Sequence, residues 1–382
     1  MIQREFYLQQ LRTGLLRNPV VALLGPRQCG KTTLAKALLR EESGSYFDLE
    51  DPATAATFAE PMSTLAGLRG LVVIDEAQRL PGLFPVLRVL ADRDGVATRF
   101  LVLGSASPEL SRQSAESLAG RVEILELRGF SLDEVGRDDI GRLWLRGGFP
   151  RSFLARSAAD SRQWRRDFTR TFLERDLAGL GFGMSPAAMS RFWTMLSHYH
   201  GQLWNGNEIA SSMGVSPHTV RKYLDALEQT FMVRRLLPWH ASVGKRLVKS
   251  PKIYFRDSGI FHFLQGITEE SRLLAHPKLG ASWEGFALEE TLHALQPDEA
   301  WFYAVHSGSE LDLLIRKDGR TIGIECKRQD APRLTRSMAV AMADLNLDEL
   351  WVVYPGDREY ALGDRIRVRP LVEVAGPRPK ER

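Results

Sequence analysis

The sequence predicts an α/β chain of several domains: an N-terminal parallel α/β domain, a short helical segment, a basic two-helix unit and a second α/β domain at the C-terminus. Three observations carry this. Continuous apolar runs at Val20–Leu24, Leu71–Ile74 and Phe100–Leu103 alternate with helical spacing, as strands buried on both faces of a parallel sheet do. Between Arg191 and Arg256 stand ten basic residues against three acidic ones, in a chain whose formal net charge is only +4. Beyond Ser282, a helical stretch is followed by a new set of strand-like runs.

At 382 residues, 44% hydrophobic and 26% charged, the chain has the length of two or three domains and the composition of a soluble globular protein. No apolar run approaches the ~18 residues of a membrane span, so no membrane role is expected. The opening MIQREFYLQQLRTGLLRNP mixes charges among its apolar residues, which does not fit a signal peptide. Cys29 and Cys326 are far apart and embedded in motifs, so a disulfide framework is not expected and the expected compartment is a reducing cytoplasm.

The first apolar run leads straight into Gly25, Pro26, Arg27, Gln28, Cys29, Gly30, Lys31, Thr32 and Thr33, and LAKALLR then shows helical spacing. Strand, glycine-rich loop and helix in this order make a phosphate-binding loop. Gly25 and Gly30 let backbone amides turn onto phosphate oxygens, and the helix adds its positive end. Lys31 is expected to reach the β- and γ-phosphates of ATP, and Thr32 to ligate Mg2+. The second run ends in Asp75 and Glu76, at the strand end where parallel sheets place ligands. Asp75 suits the magnesium water shell, and Glu76 the polarisation of an attacking water. The third run ends at Ser105, a polar residue near the γ-phosphate or a cap for the helix beginning at Pro108. Arg121, before the next strand-like run, reads either as a finger for a neighbouring subunit's ATP or as a surface ion-pair partner.

In the basic middle, Ile209, Ala210 and Met213 form the apolar face of one helix, ended by Gly214. Ser216 and Pro217 start a second, with Val220, Tyr223, Leu224 and Leu227 as its stripe. This helix-turn-helix pattern, followed by strand-like FMVRRLLPW and KRLVKSPKIYF, predicts a winged helix. His218, Thr219, Arg221 and Lys222 would face DNA, with Lys245, Arg246, Lys249 and Lys252 on the wing. The competing reading is a packing module with a solvated basic face.

In the C-terminal part, Asp312 begins one strand, a turn at Asp318–Gly319 folds the chain back, and Glu325 and Lys327 alternate on the next strand, so they share a face. Two carboxylates would hold magnesium, with Lys327 orienting a water and Glu284 on the preceding helix completing the shell. Against cleavage stands a docking module that keeps the fold alone.

The motifs GPRQCGKTT, YFDLEDP, LVVIDEAQRLP, LVLGSAS, LAGRVEILELRGFSLDEV and GGFP, with the C-terminal set, resemble a widespread prokaryotic family of predicted AAA-type ATPases carrying a restriction-endonuclease-like C-terminal domain, related to the archaeal ATPases. The resemblance implies an AAA-type ATPase core at 1–130, a helical lid at 131–180 with Pro150 against the nucleotide, and a winged helix at 181–256. It further implies a PD-(D/E)xK nuclease-like domain at 257–375, with 376–382 a disordered tail. Ser105 would be its sensor residue and Arg121 its arginine finger, which entails a homo-oligomer such as a hexameric ring. The function so implied is Mg-ATP hydrolysis coupled to remodelling of, or translocation on, DNA, including junction DNA, with metal-dependent cleavage as an added output. The alternative is an ATP-dependent switch on protein partners.

Overall fold

The apolar runs around the phosphate-binding loop pair as parallel strands. The computed structural model describes residues 2–93, 98–105, 117–177, 184–240, 247–306 and 308–377. The chain divides into two units, one comprising 1–129 with 229–231, the other 130–228 with 232–382.

In the first unit, α1 (Glu5–Arg17) precedes β1 (Val20–Gly25), α2 (Lys31–Leu39), β2 (Gly44–Asp48), β3 (Gly70–Asp75), α3 (Leu83–Ala91), β4 (Thr98–Ser105) and β5 (Val122–Glu126). The sheet order is β2-β3-β4-β1-β5, and every pairing in it is parallel. β1 is buried at all six positions, as a central strand covered on both faces must be. One side of the core joins Val20, Ala22 and Leu24 to Val72, Ile74, Phe84, Leu87 and Val102. The sheet therefore brings the C-terminal ends of β1, β3 and β4 together, carrying Gly25, Asp75 and Ser105.

The second unit opens with helices that include α4 (Ile140–Arg146) and α5 (Ala158–Thr171), then α6 (Pro186–Ser197). α7 (Gly206–Met213) and α8 (Pro217–Gln229) follow, with Ser216 Oγ accepting from the Thr219 amide at 3.1 Å as the cap of α8. Strands β6 (Gln202–Leu203), β7 (Val233–Leu236) and β8 (Lys252–Phe255) form an antiparallel sheet with β8 in the middle. Then come α9 (Ser258–Leu264), α10 (Leu279–Leu295), β9 (Glu299–Ala304), β10 (Glu310–Lys317), β11 (Arg320–Cys326), α11 (Arg336–Leu345), β12 (Glu349–Tyr354), β13 (Tyr360–Gly363) and β14 (Ile366–Pro370). The six strands order as β13-β14-β12-β11-β10-β9, antiparallel through β9-β10-β11 and parallel through β11-β12-β14. The β10–β11 hairpin turns at Asp318 and Gly319, with φ of 50° and 75°.

The smaller sheet is stitched to the β9 edge of the larger one. Trp239 N donates to Phe302 O at 2.8 Å, Phe302 N to Leu237 O at 3.0 Å, and Val248 N to Ala304 O at 3.1 Å. These bonds flank β8 in sequence on the β7 side and just before Lys252. Lys245 and Arg246, expected on the wing, lie outside the described residues, as does the tail beyond Pro377.

Candidate functional site

The phosphate-binding loop is built where α2 begins. Gly30 caps that helix at φ 104°, a conformation that costs other residues about 1–2 kcal/mol. Gly25 is required by a close approach: a Cβ there would stand 2.1 Å from the carbonyl oxygen of Leu127. As the first turn of a helix, Lys31, Thr32 and Thr33 have amides with no preceding turn to bond, which is the donor set that anions use. Lys31 is buried, and its Nζ donates to the carbonyls of Gly25 at 2.8 Å and Pro26 at 2.9 Å. Those carbonyls hold the ammonium inside the loop.

Thr32 Oγ1 donates to Asp75 Oδ2 at 2.7 Å, and Asp75 is only 3% exposed. A hydroxyl beside a buried carboxylate supplies the hard oxygen donors that magnesium prefers, so this pair fits the ion expected with ATP. Asp75 is further held by Tyr46 Oη at 2.9 Å and by the Glu76 amide at 2.9 Å. Burial, then the Asp75 charge, pushes the Tyr46 phenol well above its usual range, so it remains a donor.

Glu76 adopts a left-handed conformation, φ 54° and ψ 40°, which is rare for a residue with a side chain. It lies 3.7 Å from Arg27 and accepts a hydrogen bond from Gln78 Nε2. Strain of this kind gathers at functional sites. Ser105 is the register partner of Gly25, and its Oγ is buried with no hydrogen-bond partner among the described residues.

Two residues of this site were not read from the sequence. Tyr46 reaches Asp75 from the neighbouring strand β2. Arg4 donates from Nη1 to Cys29 O and from Nη2 to Arg128 O and Gly129 O, each at 3.0 Å, bracing the loop from beneath. A lone Arg ahead of a helix carries no motif, and Tyr46, although it opens the YFDLEDP motif, carries no sign of its contact with Asp75. Arg121 sits at the opposite end of the sheet, its carbonyl bonded to the Val20 amide at 3.2 Å. It is thus a strand length, about 17–20 Å, from Gly25 and cannot reach its own nucleotide. Its guanidinium forms a two-bond pair with Asp92 at 2.5 and 3.0 Å. Pro150 opens the short helix Pro150–Phe153 in the second unit.

In the second unit, His218, Arg221 and Lys222 are exposed on α8 and Lys249 is exposed before β8. Thr219 is half-buried, its hydroxyl 2.9 Å from Ser216 Oγ. Lys252 is not on a wing surface. It is 3% exposed, with Nζ 3.5 Å from Glu284, 3.6 Å from Asp312 and 3.8 Å from Glu310. The sequence expectation assumed that a basic residue near other basic residues is solvated. Lys252 instead lies in a strand that is buried at every position, and it can be there because carboxylates meet it.

Glu284, Asp312, Glu325 and Lys327 do converge. Asp312 Oδ2 accepts from the Cys326 amide at 2.9 Å, Lys327 Nζ lies 2.6 Å from Glu325 Oε1, and Tyr254 Oη donates to Glu284 Oε1 at 2.6 Å. Lys252 stands among these carboxylates. Among the described residues no group of three or more His, Cys, Asp or Glu is arranged to hold a metal. Two of the carboxylates expected to hold magnesium, Glu284 and Asp312, instead face the Lys252 ammonium, and a third, Glu325, faces Lys327.

Burial, then the Asp312 charge, raises the Glu284 carboxyl to about 7 and the Glu325 carboxyl to about 8. Burial opposes the charged form of Lys252 as well, but Glu284, Asp312 and Glu310 outweigh it and hold the ammonium above its usual range. Elsewhere in this unit burial depresses His200 and His262 to about 3 each. Raised carboxyls contribute stability that is lost as pH climbs from about 4.5 through 7 to 8; depressed imidazoles contribute stability lost as pH falls below about 6.5. The two slopes oppose between those limits. Above about pH 6.5, where the two imidazoles are neutral in both states, the melting temperature of this unit is expected to fall as pH rises, and to fall less in Asp312→Asn. A thermal melt series in one buffer system checks this.

The AAA domain family matches residues 17–136, and two domain families of unknown function match 137–271 and 279–374. Uncharacterized proteins Mb2031c of Mycobacterium bovis and Rv2008c of Mycobacterium tuberculosis are each 50% identical over 374 residues, covering 98% of this chain and 85% of theirs. A Walker-type ATPase of Pyrococcus abyssi aligns with a TM-score of 0.49 and 15% identity over 69% of this chain and 96% of that one. A RuvB variant of Thermotoga maritima aligns at 0.30 and 20% over 62% and 91%. With its phosphate loop and Thr32–Asp75 pair in place, the chain belongs to the family of these two mycobacterial proteins, and its N-terminal unit is a P-loop ATPase domain of the AAA type.

Proposed function

We propose that this ATPase acts on DNA through the helix pair α7–α8, read as a winged helix. The observation that carries the reading is the outward basic face of α8: His218, Arg221 and Lys222 are exposed while Val220, Tyr223 and Leu224 of the same helix are buried. A helix so anchored presents cations at a spacing suited to phosphates. Lys249, before β8, is a further exposed cation of this unit.

At the nucleotide, Lys31 exchanges the carbonyls of Gly25 and Pro26 for phosphate oxygens. Glu76, on leaving Arg27, orients the attacking water, and Ser105 offers its unpartnered hydroxyl. Thr32 and Asp75 are the residues that would hold magnesium, which would supply neutralisation of the phosphate charge. Arg121 serves a neighbouring subunit after releasing Asp92, which makes the working form an oligomer, a hexameric ring being one closed arrangement. Cleavage of DNA is not part of the proposal, because Glu284 and Asp312, two of the carboxylates a nuclease metal would need, are paired with the Lys252 ammonium.

A switch acting on protein partners is the second reading. It is favoured by the fact that Arg234, Arg235, Lys252 and Arg256, part of the basic surplus, are in ion pairs within their own unit. DNA binding at low salt and the ATPase rate with linear, single-stranded and four-way DNA separate the two. On the DNA reading, Arg221→Ala with Lys222→Ala weakens binding about tenfold or more and lowers the salt slope by about one for each phosphate no longer neutralised. If no DNA form binds at low salt, the partner switch is the surviving reading.

A further inference from the structure

We infer that Lys252 is a built-in cation of the C-terminal carboxylate cluster, standing permanently at the position a divalent metal would take and closing that site to metal. Lys252 and Tyr254 are two apart on β8, so they share a face, and both reach Glu284, with Lys252 reaching Asp312 as well. The ammonium faces Glu284, Glu310 and Asp312, and Lys252 is 3% exposed, so it is no incidental surface contact.

Its strand cannot easily withdraw. β8 is hydrogen-bonded on both sides, to β6 and β7, and the segments flanking it are tied to β9 by the bonds of Trp239, Phe302 and Val248. Withdrawing the ammonium would leave Glu284 and Asp312 without the cation that stands 3.5 and 3.6 Å from them. Lys252 Nζ also lies over the Phe302 ring of β9, 5.7 Å from its centroid. An ammonium fixed in this way does for Glu284 and Asp312 what a divalent ion does in a metalloenzyme, without exchange. The consequence is a domain that keeps the acidic arrangement as a lock between two sheets. The inference stands on these contacts and does not depend on whether the protein binds DNA.

Manganese is the probe, added without nucleotide to the full chain and followed by water-proton relaxation. The protein as it stands is expected to bind no Mn2+ that depends on Asp312: its titration should superimpose on that of Asp312→Asn. Lys252→Met is expected to gain one Mn2+ ion, bound at least about tenfold more tightly than any Mn2+ on the unsubstituted chain, and to lose it again when Asp312→Asn is added. An increase in the melting temperature of Lys252→Met with Mn2+, absent in the double variant, reports the same event. Asp312-dependent Mn2+ binding by the unsubstituted protein overturns the inference, and that comparison needs no folded Lys252 variant. A folded Lys252→Met that gains no ion overturns it too.

Discussion

Lys31→Ala is expected to lower ATP turnover by about 10²–10³-fold, the loss typical of removing one preorganised donor from a developing oxyanion. The ammonium is buried and already held within the loop by Gly25 O and Pro26 O, so little reorganisation precedes its contact with phosphate. The nearby arginines among the described residues are engaged elsewhere: Arg27 is drawn to Glu76, and Arg4 is committed to the carbonyls of Cys29, Arg128 and Gly129. Glu76→Gln is expected to lower turnover to a similar extent while leaving ATP binding nearly intact, because it removes the group that orients water and no phosphate contact. Steady-state hydrolysis together with nucleotide binding measured on both variants distinguishes the two effects. Unchanged turnover in either variant removes the role assigned to that residue.

Glu289→Ala is expected to destabilise the second unit by about 3 kcal/mol. Glu289 is 3% exposed and accepts two hydrogen bonds from Arg234, at 2.5 and 3.0 Å, with Arg256 at 3.7 Å. Removing one partner of a buried pair typically costs about 3–5 kcal/mol, and the 30% exposure of the Arg234 side chain lets water recover part of it. For a unit of this size about 3 kcal/mol lowers the melting temperature by roughly 10 °C. Arg234→Ala alone should cost less, and the double variant should cost less than the sum of the two. A melting temperature within about 1 °C of the unsubstituted protein would show that the pair contributes little net stability.

The nucleotide site was legible because it is local. Val20–Leu24, the loop and the first turn of α2 are contiguous, so the apolar run, the glycines and Lys31–Thr32 appear together in one stretch of about 15 residues. Asp75 needed only the further rule that parallel strands end on one edge. The hairpin that brings Asp312 to Glu325 was also legible, since a positive-φ Asp-Gly turn sets its register.

The polar partners were not legible. The residues from Arg191 to Arg256 were summed as though all their charges met solvent, yet Arg234, Arg235, Lys252 and Arg256 meet carboxylates instead. One signal was available: Lys252 precedes Ile253, Tyr254 and Phe255 in a strand without another charge, where a solvated wing would show alternation. Tyr46 and Arg4 gave none. Periodicity says which residues turn inward, because burial of apolar surface follows the pitch of the helix and the pleat of the strand. Which charge meets which carboxylate once inside depends on segments brought together across 32 to 60 residues of chain between Lys252 and its partners Glu284 and Asp312, and only the packing of one sheet against another decides it.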